Sequence, residues 1–232
     1  MLSLSVFIFA YNEAESLEAV VKETCDTLKE LECRYEVVII DDGSSDGSSE
    51  IADRLTRELT LANVSVIHHD RNYGLGSAYK TAFANARCDL VTFTCADGQI
   101  PAEIIKQFLP LMNEMDMDMV LGYVPNRRDS LLSKILSKVE RILYRTLFGP
   151  MPKFQGILMF KRKLLDELEF KSDGGRAWTI IMELIIRVSK SGYRVMNVPV
   201  KLRLRMNGKS KVNNLITVWA NLKQVFMLRH FL

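Results

Sequence analysis

The chain has 232 residues, 48% hydrophobic and 25% charged, a composition ordinary for a soluble globular protein and long enough for one large α/β domain. The four cysteines (Cys25, Cys33, Cys88, Cys95) form no CxxC pair and stand at no metal-finger spacing from a His, which argues against a disulfide framework, and no apolar run approaches the roughly 20 residues of a spanning helix. The net charge of +3 hides an asymmetry: residues 1–120 hold 9 Lys and Arg against 21 Asp and Glu (−12), while residues 121–232 hold 22 against 7 (+15), so the second half is suited to anions.

In chain order, Met1 to Phe9 lacks a basic leader region and reads as a first strand rather than a signal peptide. Ser5 to Phe9, Glu36 to Ile40, Val64 to Ile67 and Leu90 to Thr94 are short β-branched or aromatic runs. Helical periodicity separates them at Glu15 to Leu31, Ser48 to Thr60 and Leu75 to Ala86, so the first half predicts βαβαβαβ and a parallel sheet. Ser44 and Ser48 are candidate N-caps of the second helix, and Pro101 suits the first position of a helix over Ala102 to Asn113. The Met-rich run Met112 to Met119 reads as a helix end and loop, leading into a strand over Met119 to Gly122. Beyond it, Ser130 to Phe148 predicts a basic amphipathic helix, Gly156 to Phe160 a strand, Trp178 to Ser191 a helix, Arg194 to Val200 a strand and Val212 to Leu228 a closing helix.

Two segments place carboxylates where a strand stops and a Gly turn begins: Asp41-Asp42-Gly43-Ser44-Ser45-Asp46-Gly47 and Cys95-Ala96-Asp97-Gly98-Gln99-Ile100-Pro101. In open α/β sheets the carboxyl ends of strands are where ligands bind, so the two segments predict one site. Taken with Phe9-Ala10-Tyr11-Asn12-Glu13, Asn72-Tyr73-Gly74-Leu75-Gly76 and Arg205-Met206-Asn207-Gly208-Lys209-Ser210-Lys211, they resemble family 2 glycosyltransferases. The resemblance is to the branch typified by dolichol-phosphate mannosyltransferase and bacterial polyprenyl-phosphate glycosyltransferases, and it covers nearly the whole chain.

The resemblance implies a single GT-A domain with a mostly parallel sheet and C-terminal amphipathic helices, residues 1–122 binding the nucleotide sugar and 123–232 the acceptor. It also implies inversion at the anomeric carbon and a divalent cation, Mg²⁺ or Mn²⁺. Phe9, Ala10, Tyr11, Glu13, Ile40, Asp42, Ala96, Asp97 and Gln99 fall at donor-binding positions; Asp97 and Gln99 supply oxygens suited to a hard cation. Cys95 replaces the first Asp of the usual Asp-x-Asp. Arg205 and Lys211 match positions near donor and acceptor phosphates, with Asp97 the catalytic set; Ser210, Arg127 and Arg128 are further candidates for the acceptor phosphate. Each residue also has a plain structural reading: Glu13 as a first-turn helix carboxylate, Asp41 and Asp42 as turn or cap residues, Gly74 and Gly76 as helix entry, Glu183 as a helix-face ion pair, His68 and His69 as a partly buried and a solvated strand-end side chain.

The implied reaction moves a sugar from a nucleoside diphosphate to a polyprenyl phosphate. Hydroxyl-acceptor members carry a paired Glu-Asp in the second half that is missing here, and a phosphate dianion needs no base. The alternatives are a saccharide-hydroxyl acceptor and a non-catalytic nucleotide-sugar-binding protein. Expected partners are the nucleotide sugar, the lipid-linked phosphate, an anionic membrane surface, and a membrane protein or second copy, with no nucleic acid. The expected location is cytoplasmic, peripheral on the membrane face.

Overall fold

The computed structural model describes residues 2–59, 63–125, 142–172, 175, 178–205 and 223–230. Its strands are β1 (Leu4–Ala10), β2 (Tyr35–Asp41), β3 (Val64–His68), β4 (Leu90–Cys95), β5 (Met119–Tyr123), β6 (Ile157–Lys161) and β7 (Val195–Pro199). Helices are α1 (Ala14–Lys29), α2 (Ser48–Glu58), α3 (Leu75–Asn85), α4 (Ile104–Asn113), α5 (142–148), α6 (Lys163–Glu167), α7 (Thr179–Lys190) and α8 (223–230).

The seven strands form one sheet in the order β3-β2-β1-β4-β6-β5-β7. All run parallel except β6, which lies antiparallel between β4 and β5. A strand from the second half of the sequence therefore sits inside the sheet begun by the first half, and the two halves share one core. β1 is buried along its whole length, and its alternation serves both faces. Leu4, Val6 and Ile8 pack with Leu17 and Val21 of α1, Leu55 of α2 and Phe108 of α4; Phe7 and Phe9 pack with Tyr79 of α3, Phe160 of β6 and Leu184 of α7. A strand buried on both faces is the mark of a doubly covered parallel sheet.

Two local expectations differ from the structure, and one helix is new. Ser44 and Ser48 do not cap α2: Gly47 holds the N-cap position at φ 95°, which glycine adopts without Cβ strain, and Ser48 is the first helical residue. α4 begins at Ile104 rather than Ala102, because Pro101 O and Ala102 O accept from Ile104 N (3.2 Å) and Ile105 N (2.9 Å) in a tighter turn. The short helix α6 follows β6 and had no periodic signal of its own. Of the two amphipathic segments, 142–148 and 223–230 are helical; 130–141 and 212–222 lie outside the described residues. No helix among the described residues is long and apolar enough to cross a membrane.

Candidate active site at the carboxyl ends of β1, β2 and β4

From β1 the chain moves outward to β2 and β3, and then returns to place β4 on the other side of β1. A switch in winding of this kind is where open α/β sheets take ligands, here at the carboxyl ends of β1 and β4. The β1–α1 turn is set by Asn12 at φ 51°, whose N–H donates to Ser44 Oγ (2.9 Å) and whose Oδ1 accepts from Ser45 N (2.8 Å). Glu13 N donates to Ser48 Oγ (2.9 Å) and Ala14 N to Asp46 Oδ2 (3.0 Å). The Ser- and Asp-rich turn after β2 thus satisfies the first N–H groups of α1, which leaves the Glu13 carboxylate out of the capping.

The neighbouring aspartates organise this rim. Asp42, 5% exposed, accepts from Asn72 Nδ2 (2.9 Å), Tyr73 N (3.0 Å) and Gly74 N (2.8 Å), and lies 2.7 Å from His69 Nδ1. His69 Nε2 is 2.8 Å from Thr81 Oγ1, so this ring ties Asp42 to α3. Asp41 accepts from Ser44 N (3.1 Å) and Ser49 Oγ (2.5 Å) and lies 2.9 Å from His68 Nδ1; His68 Nε2 is 3.2 Å from Asp53. Burial works to raise the Asp41 pKa, but its bonds to Ser44, Ser49 and His68 outweigh that and hold it below the usual carboxylate value. Burial likewise opposes protonation of His68, and the Asp41 and Asp53 carboxylates outweigh it and raise its pKa. Gly43 at φ 69° packs so close to the next loop that a Cβ would sit 2.3 Å from the Arg71 carbonyl carbon.

At the end of β4, Asp97 Oδ1 accepts from Gln99 N (3.0 Å), closing the turn. Gln99 O accepts from Arg203 N (2.9 Å), and Arg203 pairs with Glu23 of α1 (2.7 Å), which also receives Ala102 N (3.1 Å). These bonds fasten residues 201–205 to the turn after β4 and to α1. The Arg205 guanidinium is bonded to Glu13 and stands 3.6 Å from Asp97 Oδ2, with the three side chains only 17%, 10% and 13% exposed. Cys95 is next to them; burial first, then the Asp97 and Glu13 carboxylates, push its thiol up to about 12, so at neutral pH it brings no charge.

Tyr11, Glu13, Asp42, Asp97, Gln99 and Arg205 accordingly lie on the same edge of the sheet, supplied by four separated stretches of chain. Phe9, Ala10, Ile40 and Ala96 direct their side chains into the core, and the carbonyls of Phe9 and Ala10 already accept from Ala96 N and Asp42 N (both 2.9 Å); they build the floor of the crevice. Arg127, Arg128, Ser210 and Lys211 lie outside the described residues. Glu183, fully buried, accepts from Lys171 N and Ser172 N (both 2.8 Å) and pairs with Arg187 (2.7 Å). The Asp42-holding roles of Asn72 and His69 escaped the reading of the sequence, although the Asn-x-Gly after a strand was a usable signal; nothing in the sequence pointed to the Glu23–Arg203 clasp.

A family model described as glycosyl transferase family 2 matches residues 5–170. The undecaprenyl-phosphate 4-deoxy-4-formamido-L-arabinose transferase of Salmonella choleraesuis is 32% identical over 167 residues, 71% of this chain and 50% of that protein; the protein of the same name from Salmonella typhimurium matches to the same extent. The chain spans about half the length of these curated relatives. Among solved structures, Mycobacterium tuberculosis glucosyl-3-phosphoglycerate synthase in complex with Mn²⁺ and UDP-glucose superposes with a TM-score of 0.72 at 19% identity, covering 98% of this chain and 79% of that one. A mannosyltransferase from Pyrobaculum calidifontis in complex with GDP-mannose and Mn²⁺ gives 0.64 at 20% identity, over 90% of this chain and 58% of that one. These likenesses show the fold, a single α/β domain of the GT-A type with a mostly parallel sheet. A model match over more than two thirds of the sequence, together with a relative 32% identical, makes this chain a member of glycosyl transferase family 2.

Proposed function

We propose that the chain transfers a sugar, with inversion, from a nucleoside diphosphate to a polyprenyl phosphate. The observation that carries this reading is the seating of Arg205 beside Asp97 and Glu13, which brings a phosphate-binding cation from the basic half against the donor-side carboxylates. The curated relatives, named as undecaprenyl-phosphate transferases, support the acceptor class. So does Glu183: it is fully buried and accepts from the Lys171–Ser172 backbone and Arg187, which leaves it badly placed to strip a proton from a sugar hydroxyl.

In this mechanism an oxygen of the acceptor phosphate attacks the anomeric carbon. The bond from that carbon to the donor's β-phosphate oxygen breaks, and its electron pair leaves with the nucleoside diphosphate. No proton need be removed, since a phosphate monoester with a second pKa near 6 is already dianionic at neutral pH. The residues present fit a divalent ion, because the oxygens of Asp97 and Gln99 are hard ligands and the Asp97 carboxylate already attracts a cationic group. Asp97 and Gln99 would hold Mg²⁺ or Mn²⁺, which neutralises charge on the departing diphosphate. No cluster of three or more His, Cys, Asp or Glu fit to bind a metal occurs among the described residues, and the donor's phosphate oxygens would supply further hard ligands to the ion. Arg205, with Lys211, Ser210, Arg127 and Arg128, would hold phosphate oxygens by charge-assisted hydrogen bonds. Tyr11 would frame the nucleoside, Asp42, its carboxylate engaged by Asn72, Tyr73, Gly74 and His69, shapes the rim beside it, and the 1–122 and 123–232 segments divide donor from acceptor binding.

The test is transfer of radiolabelled sugar from a panel of nucleotide sugars into a butanol-soluble, mild-acid-labile lipid. Label appearing only in a saccharide would move the reading to a hydroxyl acceptor. Peripheral attachment to the cytoplasmic membrane face belongs to the same proposal, and it requires co-sedimentation with anionic vesicles that falls as salt rises.

A further inference from the structure

We propose that Arg205 is the resident counter-ion of the divalent-cation site, and that Glu13 supplies the carboxylate that Cys95 no longer brings. The inference rests on the transferase reading above and assigns the charge balance of its metal site. Its basis is one guanidinium held between two carboxylates that come from different strands. Arg205 Nη2 bonds Glu13 Oε1, while Nη1 stands 3.6 Å from Asp97 Oδ2. All three side chains are at least four-fifths buried, so their charges are poorly screened and the two carboxylates require a positive partner.

Cys95, on the strand that leads into Asp97, offers a soft sulfur atom in place of a carboxylate, unsuited to Mg²⁺ or Mn²⁺. The anionic pair facing the cation is therefore Asp97 with Glu13, and a divalent ion entering between them displaces the guanidinium. The displaced Arg205 remains tethered to residues 201–205, which are fastened by Arg203 to Gln99 and Glu23, so it stays within reach of the crevice and needs a new anion. A nucleoside diphosphate offers one. Metal alone must compete with an intramolecular cation; metal with diphosphate need not. Cation and donor binding are thereby coupled through one side chain.

The experiment measures Mn²⁺ binding to the full chain by electron paramagnetic resonance of the free ion, first without nucleotide and then with UDP and GDP in turn. Without nucleotide, Arg205→Gln should bind Mn²⁺ about tenfold more tightly than the parent, the scale of removing a like charge from within a few ångström of the ion. Arg205→Lys, which keeps the charge, should stay near the parent value. With nucleotide, Glu13→Gln should weaken Mn²⁺ binding about tenfold, and adding Cys95→Asp to that variant should recover it. Far-UV circular dichroism confirms that each variant is folded. Binding in Arg205→Gln that equals or falls below the parent overturns the counter-ion role, and unchanged Mn²⁺ affinity in Glu13→Gln overturns the compensating carboxylate. Absence of Mn²⁺ binding in the parent even with nucleotide overturns both and the metal-assisted transferase reading with them.

Discussion

Replacing Glu183 by Gln separates a structural carboxylate from a catalytic one. Glu183 is fully buried on α7; Oε1 accepts from Lys171 N (2.8 Å) and Arg187 Nε (2.8 Å), and Oε2 from Ser172 N (2.8 Å). The amide of Gln keeps a single acceptor oxygen. If that oxygen faces Arg187, the new NH₂ confronts the Ser172 N–H; if it is turned the other way, both the guanidinium and the Lys171 N–H lose their acceptor. Either arrangement removes at least one hydrogen bond to a charged group, about 1.5 to 3 kcal/mol, and leaves the Arg187 charge, 17% exposed, without its counter-ion. The expected loss is about 3 to 5 kcal/mol, the range for breaking a buried pair. Urea denaturation at pH 7 should show this as a lowered midpoint with an unchanged slope. Arg187→Met should cost less when added to Glu183→Gln than when made alone, because the pair is already broken. A stability within about 1 kcal/mol of the parent, combined with collapsed turnover, would refute the argument and make Glu183 a working base.

Three further outcomes follow from the site. His68, with its raised pKa, stabilises the fold fully below its ordinary value of 6.5 and loses that contribution as pH rises through the folded-state value; Asp41, with its lowered pKa, contributes above its ordinary 3.8 and loses it as pH falls. His68→Gln should therefore cost more stability at pH 5.5 to 6 than at pH 8.5, read by thermal unfolding, and equal costs at both would exclude the assigned pairing. Gly43→Ala should destabilise by about 2 to 4 kcal/mol, since the new Cβ would adopt a left-handed φ and meet Arg71 backbone at 2.3 Å; a neutral effect in denaturation would show that the loop yields. Asp97→Asn should leave the unfolding transition near the parent's while removing most sugar transfer, and parental turnover together with insensitivity to EDTA would dismiss the metal assignment.

The order of strands and helices through the first half and the meeting of the Asp42 and Asp97 turns at one sheet edge were legible in the sequence, because hydrophobic periodicity and Gly turns are local signals. So was the family, whose motifs hold most of the candidate site residues. The antiparallel insertion of β6 was not legible, since a five-residue apolar run states neither its direction nor its neighbours. Nor was the fate of the charge asymmetry. The basic second half reads as a surface awaiting anions, yet Lys161 and Arg194 close on Asp116, Arg203 on Glu23 and Arg205 on Glu13, all acids of the first half. The positive charge is thus partly spent inside the molecule, and the same folding brings Arg205 to Glu13, 192 residues before it. Charge counts add over the sequence irrespective of position, whereas Coulomb attraction depends on distance, and only the tertiary structure sets the distances.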